Sequence, residues 1–156
     1  RIINLAEEKS SFVYHNTGFL FFIFAPVITK TFKNEKTAVQ TAQKIYDILR
    51  HHNKMFQQKI DFGIGINYGA IIVKKEKDTL YFMSLGNLIS SLKKISGVAN
   101  DEILLGKEFN EKSMAEIKTE KHTRNGTTVY SIKEIRDSEK NKEFLGNFVK
   151  RLEEKE

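Results

Sequence analysis

Residues 60–69 read IDFGIGINYG, and this stretch decides the fold. Apolar residues alternate with small or polar ones from Ile60 to Ile66, which is the period of two shown by strands with one buried face. A second apolar run at 70–73 extends the predicted strand. Phosphate loops lie between a strand and a helix N-terminus, whereas these glycines stand inside the strand pattern. We therefore expect them to let a helix or a partner approach the sheet closely.

A hairpin precedes this strand, and further strands follow it. Residues 11–15 and 19–25 flank Asn16-Thr17-Gly18, whose polar and glycine residues suit a tight turn. The second run does not alternate, which predicts a central strand buried on both faces. Asn125-Gly126 is the strongest short hairpin signal in the chain. The further strands are predicted at 79–85, 102–105, 114–121 and 127–135.

Helices are predicted where apolar residues recur three and four positions apart. These segments are 34–53, 86–99 and 136–156, and residues 1–9 read as the tail of another helix. Asn34 is expected to cap the first, and Asp137 or Ser138 the last. The last helix has the apolar stripe Phe144, Leu145, Phe148, Val149 and Leu152, which either packs on its own sheet or pairs with another copy.

Together these elements predict a mixed α+β fold. The class is α+β, ferredoxin-like, with a mainly antiparallel sheet and helices on one face. The expected organisation is one domain at 1–135 followed by an amphipathic helix at 136–156. The chain opens on Arg1 without Met or a signal-peptide pattern, which suggests a piece of a longer protein with other domains.

Composition excludes several classes of protein. With 40% hydrophobic residues in 156, the chain can bury one ordinary core, and its longest apolar run, 19–28, is too short to cross a bilayer. The absence of cysteine excludes disulfides and thiolate sites, which fits a reducing, cytoplasmic setting. The net charge of +6 comes from dispersed lysines, whereas nucleic-acid binders usually cluster their basic residues.

Residues 64–69 read IGINYG, 97–105 read GVANDEILL and 126–132 read GTTVYSI. These stretches resemble the IGIxxG strand, the GEILVS segment and the closing strand of the catalytic domain of class III adenylate/guanylate (nucleotidyl) cyclases. The order of hairpin, helix, strand, hairpin and helix is similar over 11–135. The resemblance implies a cyclase-like sheet whose first strand and the helices that follow it are missing or end at 1–9.

The resemblance also assigns positions to a nucleotide site, and this chain departs from the family at each of them. One metal-holding carboxylate belongs to the absent first strand, and the other belongs to the turn that aligns with Asn16-Thr17. The base-recognising lysine falls on Val13 and the base reader on Met83. The asparagine and arginine that act on the transition state fall on Ser90 and Lys94. The possible nucleotide-facing positions are therefore Val13, Thr17, Met83, Ser90 and Lys94.

The small number of aspartates also argues against a metal-dependent nucleotide site, without reference to the family. The chain has five: Asp47, Asp61, Asp78, Asp101 and Asp137. We expect none of them to converge with another on adjacent strand ends as a two-metal site. Only one of the four histidines, His51, lies four residues from a carboxylate, that of Asp47, so no metal ligands and no catalytic residues are assigned.

Three functions remain open at this point. The first is a catalytically inactive cyclase-homology domain with a regulatory, dimerisation or protein-interaction role, extending to weak nucleotide sensing. Its partner is expected to be a second copy or a related cyclase-like chain. The second is an active cyclase that takes Mg²⁺ or Mn²⁺ with ATP or GTP, using metal ligands upstream of Arg1 or on a partner. The third is a basic nucleic-acid-binding module. No cofactor is expected under the first.

Overall fold

The computed structural model describes residues 2–9, 11–77 and 79–136. The predicted final helix at 136–156, apart from Arg136, lies outside the described residues, as do Asp78 and the two capping candidates of that helix. The helices are α1 (Ile2–Glu8), α2 (Pro26–Thr29), α3 (Glu35–Met55), α4 (Leu88–Val98) and α5 (Lys107–Ser113). The strands are β1 (Phe12–Asn16), β2 (Phe19–Ile23), β3 (Ile64–Ile66), β4 (Ile72–Glu76), β5 (Thr79–Ser84), β6 (Ile103–Leu105), β7 (Ile117–Arg124) and β8 (Thr127–Ile135).

The described strands form one sheet of four strands and two separate hairpins. The four-stranded sheet has the order β3-β6-β8-β7, and the hairpins are β1-β2 and β4-β5. The β3-β6 pair is parallel and the other four pairs are antiparallel. The mixed α+β class and the mainly antiparallel pairing are therefore confirmed.

The four-stranded sheet is covered on both faces. Leu105 and Ile66 join α3 and α5 in one buried cluster, through Val39 and Phe109 among others. Leu104, the residue next to Leu105, packs with α4 in a second cluster. Adjacent strand residues point to opposite faces, so α4 lies on the face opposite α3 and α5. The expectation of helices on one face holds for α3 and α5 but is wrong for α4.

The glycines of β3 provide the close approach that the sequence predicted. A Cβ atom on Gly63 would lie 2.3 Å from the backbone oxygen of Ser96 and 2.4 Å from that of Ala99. A Cβ atom on Gly65 would lie 3.0 Å from the backbone nitrogen of Ser96. Because α4 occupies the space of these side chains, only glycine fits here without displacing its backbone.

Two strand predictions need correction. The strand predicted from Ile60 through 70–73 is formed only at Ile64–Ile66, and Ile72 and Val73 belong to the separate strand β4. The side chain of Asn53 bonds the backbone nitrogen and oxygen of Ile60, each at 2.8 Å, which removes Ile60 from the strand. Residues 19–25 were expected to form a central strand. They form β2, which pairs only with β1 within the described chain. Leu20 on this strand is 38% exposed, so β2 is not buried on both faces.

The helices also differ in detail from the sequence expectations. Asn34 precedes α3 as predicted, but its side chain makes no cap and donates instead to the carbonyl oxygen of Thr31. Helices α2 and α5 were not predicted. Helix α5 begins after Gly106, which has no side chain with which to cap it.

Candidate functional site

The positions assigned by the resemblance lie on the β1-β2 hairpin, β5 and α4. Two ring contacts bring these elements together. Phe12 of β1 lies 4.5 Å from Phe82 of β5, measured between ring centroids. The Lys93 ammonium of α4 lies 5.2 Å from the Phe19 ring centroid. The hairpin therefore packs beside β5 and α4, and the turn that precedes Phe19 lies next to α4.

Val13 lies on the face of the hairpin that points away from these contacts. Phe12 and Tyr14 share the other face with their partner residues on β2, and Phe12 makes the ring contact with β5. Val13 alternates with them and pairs with Phe22. An isopropyl group has no hydrogen-bonding atom, so Val13 offers nothing that recognises a base by hydrogen bonds.

Thr17 occupies the β1-β2 turn, where the resemblance places a metal-holding carboxylate. It is exposed and adopts a positive φ of 22°. Its hydroxyl is neutral, and the neighbouring Asn16 amide donates to the Tyr14 hydroxyl at 3.0 Å. Mg²⁺ and Mn²⁺ favour anionic oxygen ligands, and this turn supplies none. The residues present at this turn do not fit the metal pair that the fold family implies.

Met83, Ser90 and Lys94 are exposed. Met83 is 62% exposed and stands at an irregularity of the β4-β5 pairing, without a partner residue on β4. Ser90 and Lys94 are one helical turn apart on α4, so they share a surface of that helix. Their spacing thus places Ser90 and Lys94 together on α4, whereas Val13 and Met83 lie on two other elements, β1 and β5.

The described carboxylates do not complete a metal site. Asp101 forms an ion pair with Arg50, and Asp47 and Asp61 lie exposed on α3 and in the loop before β3. Within the described residues, no group of three or more histidine and acidic side chains is arranged to hold a metal ion. The chemistry available at the assigned positions is one hydroxyl on the turn, one on α4 and the Lys94 ammonium.

Asn67 is a polar junction that the sequence reasoning missed. It follows β3, and its amide nitrogen donates to Ser91 Oγ at 2.9 Å and to Glu108 Oε2 at 3.0 Å. Its Oδ1 accepts the backbone N–H of Phe109 at 3.2 Å, at the third residue of α5. A Cβ on Gly106 would lie 2.4 Å from the Asn67 side chain. Asn67 thus caps α5 from a distant strand, and its position directly after the glycine-bearing strand was the available signal.

Two carboxyl groups near these elements have lowered pKa values. The pKa of Glu108 is lowered by the backbone N–H at the start of α5 and by the Asn67 amide. The pKa of Glu102 is lowered chiefly by its hydrogen bonds with Arg124, against the opposing effect of burial. Both groups are held as anions by structural partners, which accounts for the shifts without catalysis.

Comparison with known proteins identifies the fold. No protein-family model and no curated protein matches the chain. The chain is similar to the guanylyl cyclase Cya2 with a TM-score of 0.65 at 15% identity, over 88% of this chain and 77% of that one.

Two further solved domains are similar to the chain. The chain is similar to the dimeric guanylyl cyclase domain of the RhoGC fusion protein from Blastocladiella emersonii with a TM-score of 0.63 at 12% identity, over 85% of this chain and 78% of that one. It is also similar to the guanylate cyclase domain of RhGC from Catenaria anguillulae, solved with GTP, with a TM-score of 0.58 at 13% identity, over 87% of this chain and 79% of that one. The fold is therefore class III cyclase-like. No helix among the described residues is long and apolar enough to cross a membrane.

Proposed function

We propose that this chain is a cyclase-like domain that makes no cyclic nucleotide and acts in regulation or assembly by pairing with a second copy or a related chain. The observation that carries the proposal is the neutral, exposed Thr17 at the turn where the fold family holds metal. Two-metal chemistry needs carboxylates to hold the cations that activate the attacking and leaving oxygens. A neutral hydroxyl with no carboxylate beside it does not serve this purpose.

The transition-state positions support the same conclusion. Lys94 retains a positive charge, but an ammonium lacks the planar fork with which arginine binds a phosphate through two parallel hydrogen bonds. Ser90 has a shorter side chain than the asparagine that the resemblance places there. Both are exposed on α4, so any phosphate at this surface would be bound in water, where a single charge contributes little.

Exposed apolar side chains on the β4-β5 hairpin support the pairing role. Ile72 is 63% exposed, Tyr81 48% and Met83 62%. Apolar groups exposed together in this way commonly mark a protein interaction surface. The similar domain from Blastocladiella emersonii is described as a non-canonical dimer in one structure and as monomeric in another. A second copy of the chain is accordingly the first partner to test.

The absence of cyclase activity is tested directly. The purified chain is incubated with Mn²⁺ and ATP or GTP, and cyclic nucleotide is measured beside an active guanylyl cyclase in the same buffer. A cooperative thermal unfolding transition shows that the chain assayed is folded. We expect no product above the enzyme-free blank. Formation of cyclic AMP or cyclic GMP by the purified chain would refute the proposal.

Pairing is tested by sedimentation of the wild-type chain and of two matched variants. Met83 and Met114 are equally exposed, at 62% and 63%, but Met114 lies between α5 and β7 rather than on the hairpin. Met83→Glu is expected to weaken self-association about tenfold or more, because a charge would be buried at the interface. Met114→Glu is expected to leave it unchanged. Equal effects of the two variants, or a monomeric wild type, would contradict pairing through this hairpin.

The alternatives have their own discriminating observations. An active cyclase with metal ligands upstream of Arg1 or on a partner predicts that cyclic nucleotide forms only when those ligands are supplied, and that this chain alone makes none. Weak nucleotide sensing predicts that ATP or GTP raises the unfolding temperature without turnover, since a ligand that binds only the folded state stabilises it. A nucleic-acid module predicts binding that falls steeply with salt. The absence of cysteine favours a cytoplasmic setting under each of them.

A further inference from the structure

The most exposed aromatic ring among the described residues lies between β2 and α3. Phe32 is 86% exposed, whereas Phe56, the next most exposed ring, is at 57%. Pro26 and Val27 of α2 are exposed as well, Val27 at 40%. Residues 26–36, which run from α2 to the start of α3, are called the α2–α3 segment below. Because removing apolar side chains from water is favourable, this segment is a candidate contact surface.

Hydrogen bonds hold the backbone on both sides of Phe32. The Asn34 amide donates to the carbonyl oxygen of Thr31 at 2.9 Å, and the Thr31 hydroxyl accepts the backbone N–H of Lys33 at 3.1 Å. Just before this turn, Lys30 ends α2 with a φ of 60°, in the left-handed region. The ring is therefore presented by a hydrogen-bonded backbone, so little further ordering is needed when a partner covers it.

The α2–α3 segment carries an excess of positive charge. Lys30, Lys33 and Lys36 are exposed, and none of them forms an ion pair with a described residue. The one acidic residue of the segment is Glu35, which is half-buried at the start of α3. Lysines thus flank the exposed ring in the sequence, and their charge attracts an anionic surface rather than a neutral one.

An anionic lipid bilayer fits this combination better than a protein or a nucleic acid. A stable protein interface covers about 800 Å² of each partner, which three exposed apolar side chains do not provide by themselves. Single-stranded nucleic acid is bound by stacking successive bases on several rings, and Phe32 is the only aromatic residue between Phe24 and Tyr46. A bilayer needs no matching shape, because aromatic rings lie at the level of its headgroups and basic residues bind its anionic lipids.

We propose that the α2–α3 segment docks on the surface of an anionic phospholipid bilayer. Phe32 lies among the headgroups, and Lys30, Lys33 and Lys36 contact their anionic groups. The contact is peripheral, so no part of the segment crosses the membrane. It uses a different element from the β4-β5 hairpin and goes beyond the proposed pairing. It stands independently of whether the domain makes cyclic nucleotide.

Cosedimentation of the purified chain with vesicles tests the proposal. The vesicles contain phosphatidylcholine alone or phosphatidylcholine mixed with phosphatidylserine, at low ionic strength. We expect the chain to bind the phosphatidylserine vesicles about tenfold or more tightly than the neutral ones, and added salt to weaken this binding. Failure to bind the phosphatidylserine vesicles, or equal binding to both kinds, would overturn the proposal.

Two phenylalanine variants test the place of contact. Phe56 is also exposed, but it follows α3, whose 21 residues span about 30 Å from the α2–α3 segment. Phe32→Ala is expected to weaken binding to phosphatidylserine vesicles about tenfold, because the ring no longer leaves water. Phe56→Ala is expected to leave binding unchanged. Equal losses in the two variants would overturn the assignment to the α2–α3 segment.

Two lysine variants separate local charge from net charge. Lys33→Glu and Lys121→Glu change the net charge equally, and Lys121 is exposed on β7 without an ion pair to a described residue. Lys33→Glu is expected to weaken binding about tenfold or more, and Lys121→Glu less than about twofold. Equal effects would overturn the proposal, because binding would then follow net charge alone.

A cooperative thermal unfolding transition shows that each variant assayed is folded. The two kinds of variant are read together. A loss with Lys33→Glu and none with Phe32→Ala would mean attraction to any polyanion, and would overturn the placement of the ring in the headgroups. Binding of a single-stranded oligonucleotide that depends on Phe32, in a chain that ignores the vesicles, would assign the segment to nucleic acid and also overturn the proposal.

Discussion

Gly63 and Gly65 set how closely α4 approaches β3. The two nearest atoms that a Gly63 Cβ atom would meet are the backbone oxygens of Ser96 in α4 and of Ala99 directly after it, so no flexible side chain can turn away to make room. Gly63→Ala is therefore expected to lower the free energy of unfolding by about 3 kcal/mol, the upper range for overpacking a tight contact. Urea unfolding monitored by circular dichroism measures the change.

Gly97 is the matched control because it lies in α4 itself, is exposed, and has nothing within 4 Å of where a Cβ atom would stand. Gly97→Ala is expected to raise the free energy of unfolding by about 0.5 to 1 kcal/mol through helix propensity. Opposite signs for these two substitutions are the expected result. If both substitutions changed the free energy of unfolding in the same direction, α4 would not pack against β3 as closely as described.

Asn67 acts at the same scale, through three hydrogen bonds that join β3, α4 and α5. Asn67→Ala leaves the Phe109 N–H without its acceptor, so a loss of about 2 kcal/mol in the free energy of unfolding is expected. Asn87→Ala is the control, since Asn87 precedes α4 without making a side-chain cap and should cost less than about 0.5 kcal/mol. Similar losses in the two variants would contradict the capping role of Asn67.

At the scale of elements, Arg124 ties the end of β7 to the start of β6 and the end of α4. Its guanidinium binds both carboxylate oxygens of Glu102, with Nη2 3.3 Å from Oε2, and its Nη1 lies 3.3 Å from the carbonyl oxygen of Val98. The pKa of Glu102 lies below its ordinary value of 4.5 in the folded chain. The ion pair therefore stabilises the fold above that value, and its contribution is lost as the pH falls through the lowered pKa.

Glu102→Gln is accordingly expected to reduce the free energy of unfolding near neutral pH and to have a smaller effect at an acid pH below the lowered pKa, where the wild-type carboxyl is protonated. Urea unfolding at both pH values measures this difference. Glu111→Gln serves as the control, because its Lys107 partner lies 3.8 Å away on the exposed surface of α5. A destabilisation by Glu102→Gln that is independent of pH would show that the charge of Glu102 is not what matters.

Elements with local signals were predictable from the sequence, and those that depend on distant partners were not. The β1-β2 and β7-β8 hairpins follow from turn residues, and α3 from its apolar spacing. Helix α5 could not be predicted from its own segment, because Asn67, about forty positions earlier, supplies its cap. The shortening of β3 likewise depends on Asn53 of α3, and no pattern within one segment says which face of the sheet α4 covers.

The candidate site divides in the same way. The residue types at the assigned positions were evident from the sequence, and with them the lack of a carboxylate at the turn. The faces of the strands on which these residues lie, and their exposure, were not evident from the sequence. The side of the hairpin on which Val13 lies is set by the contact of Phe12 with β5, and the exposure of Met83 is accompanied by an irregular strand pairing. Both depend on tertiary packing, which alternation along one strand does not encode.

At the scale of the whole molecule, burial is concentrated in the four-stranded sheet. Leu104, Leu105 and Val129 are 0% exposed and lie on its two middle strands. The two hairpins, by contrast, are two-stranded sheets with several exposed apolar residues. Local opening costs least where few apolar contacts are buried. The hairpins are therefore expected to open before the rest of the domain unfolds.

Native-state hydrogen exchange read by mass spectrometry tests this order and the pairing proposal together. At low protein concentration, peptides of β6 and β8 are expected to exchange at least about a hundredfold more slowly than those of β1-β2 and β4-β5. If β4-β5 is the pairing surface, raising the concentration slows exchange in that hairpin and leaves β1-β2 unchanged, because only the interface is covered. Uniform exchange across the three sheets would contradict the first expectation. A β4-β5 rate that does not depend on concentration, in a sample shown to be dimeric, would place the pairing surface elsewhere.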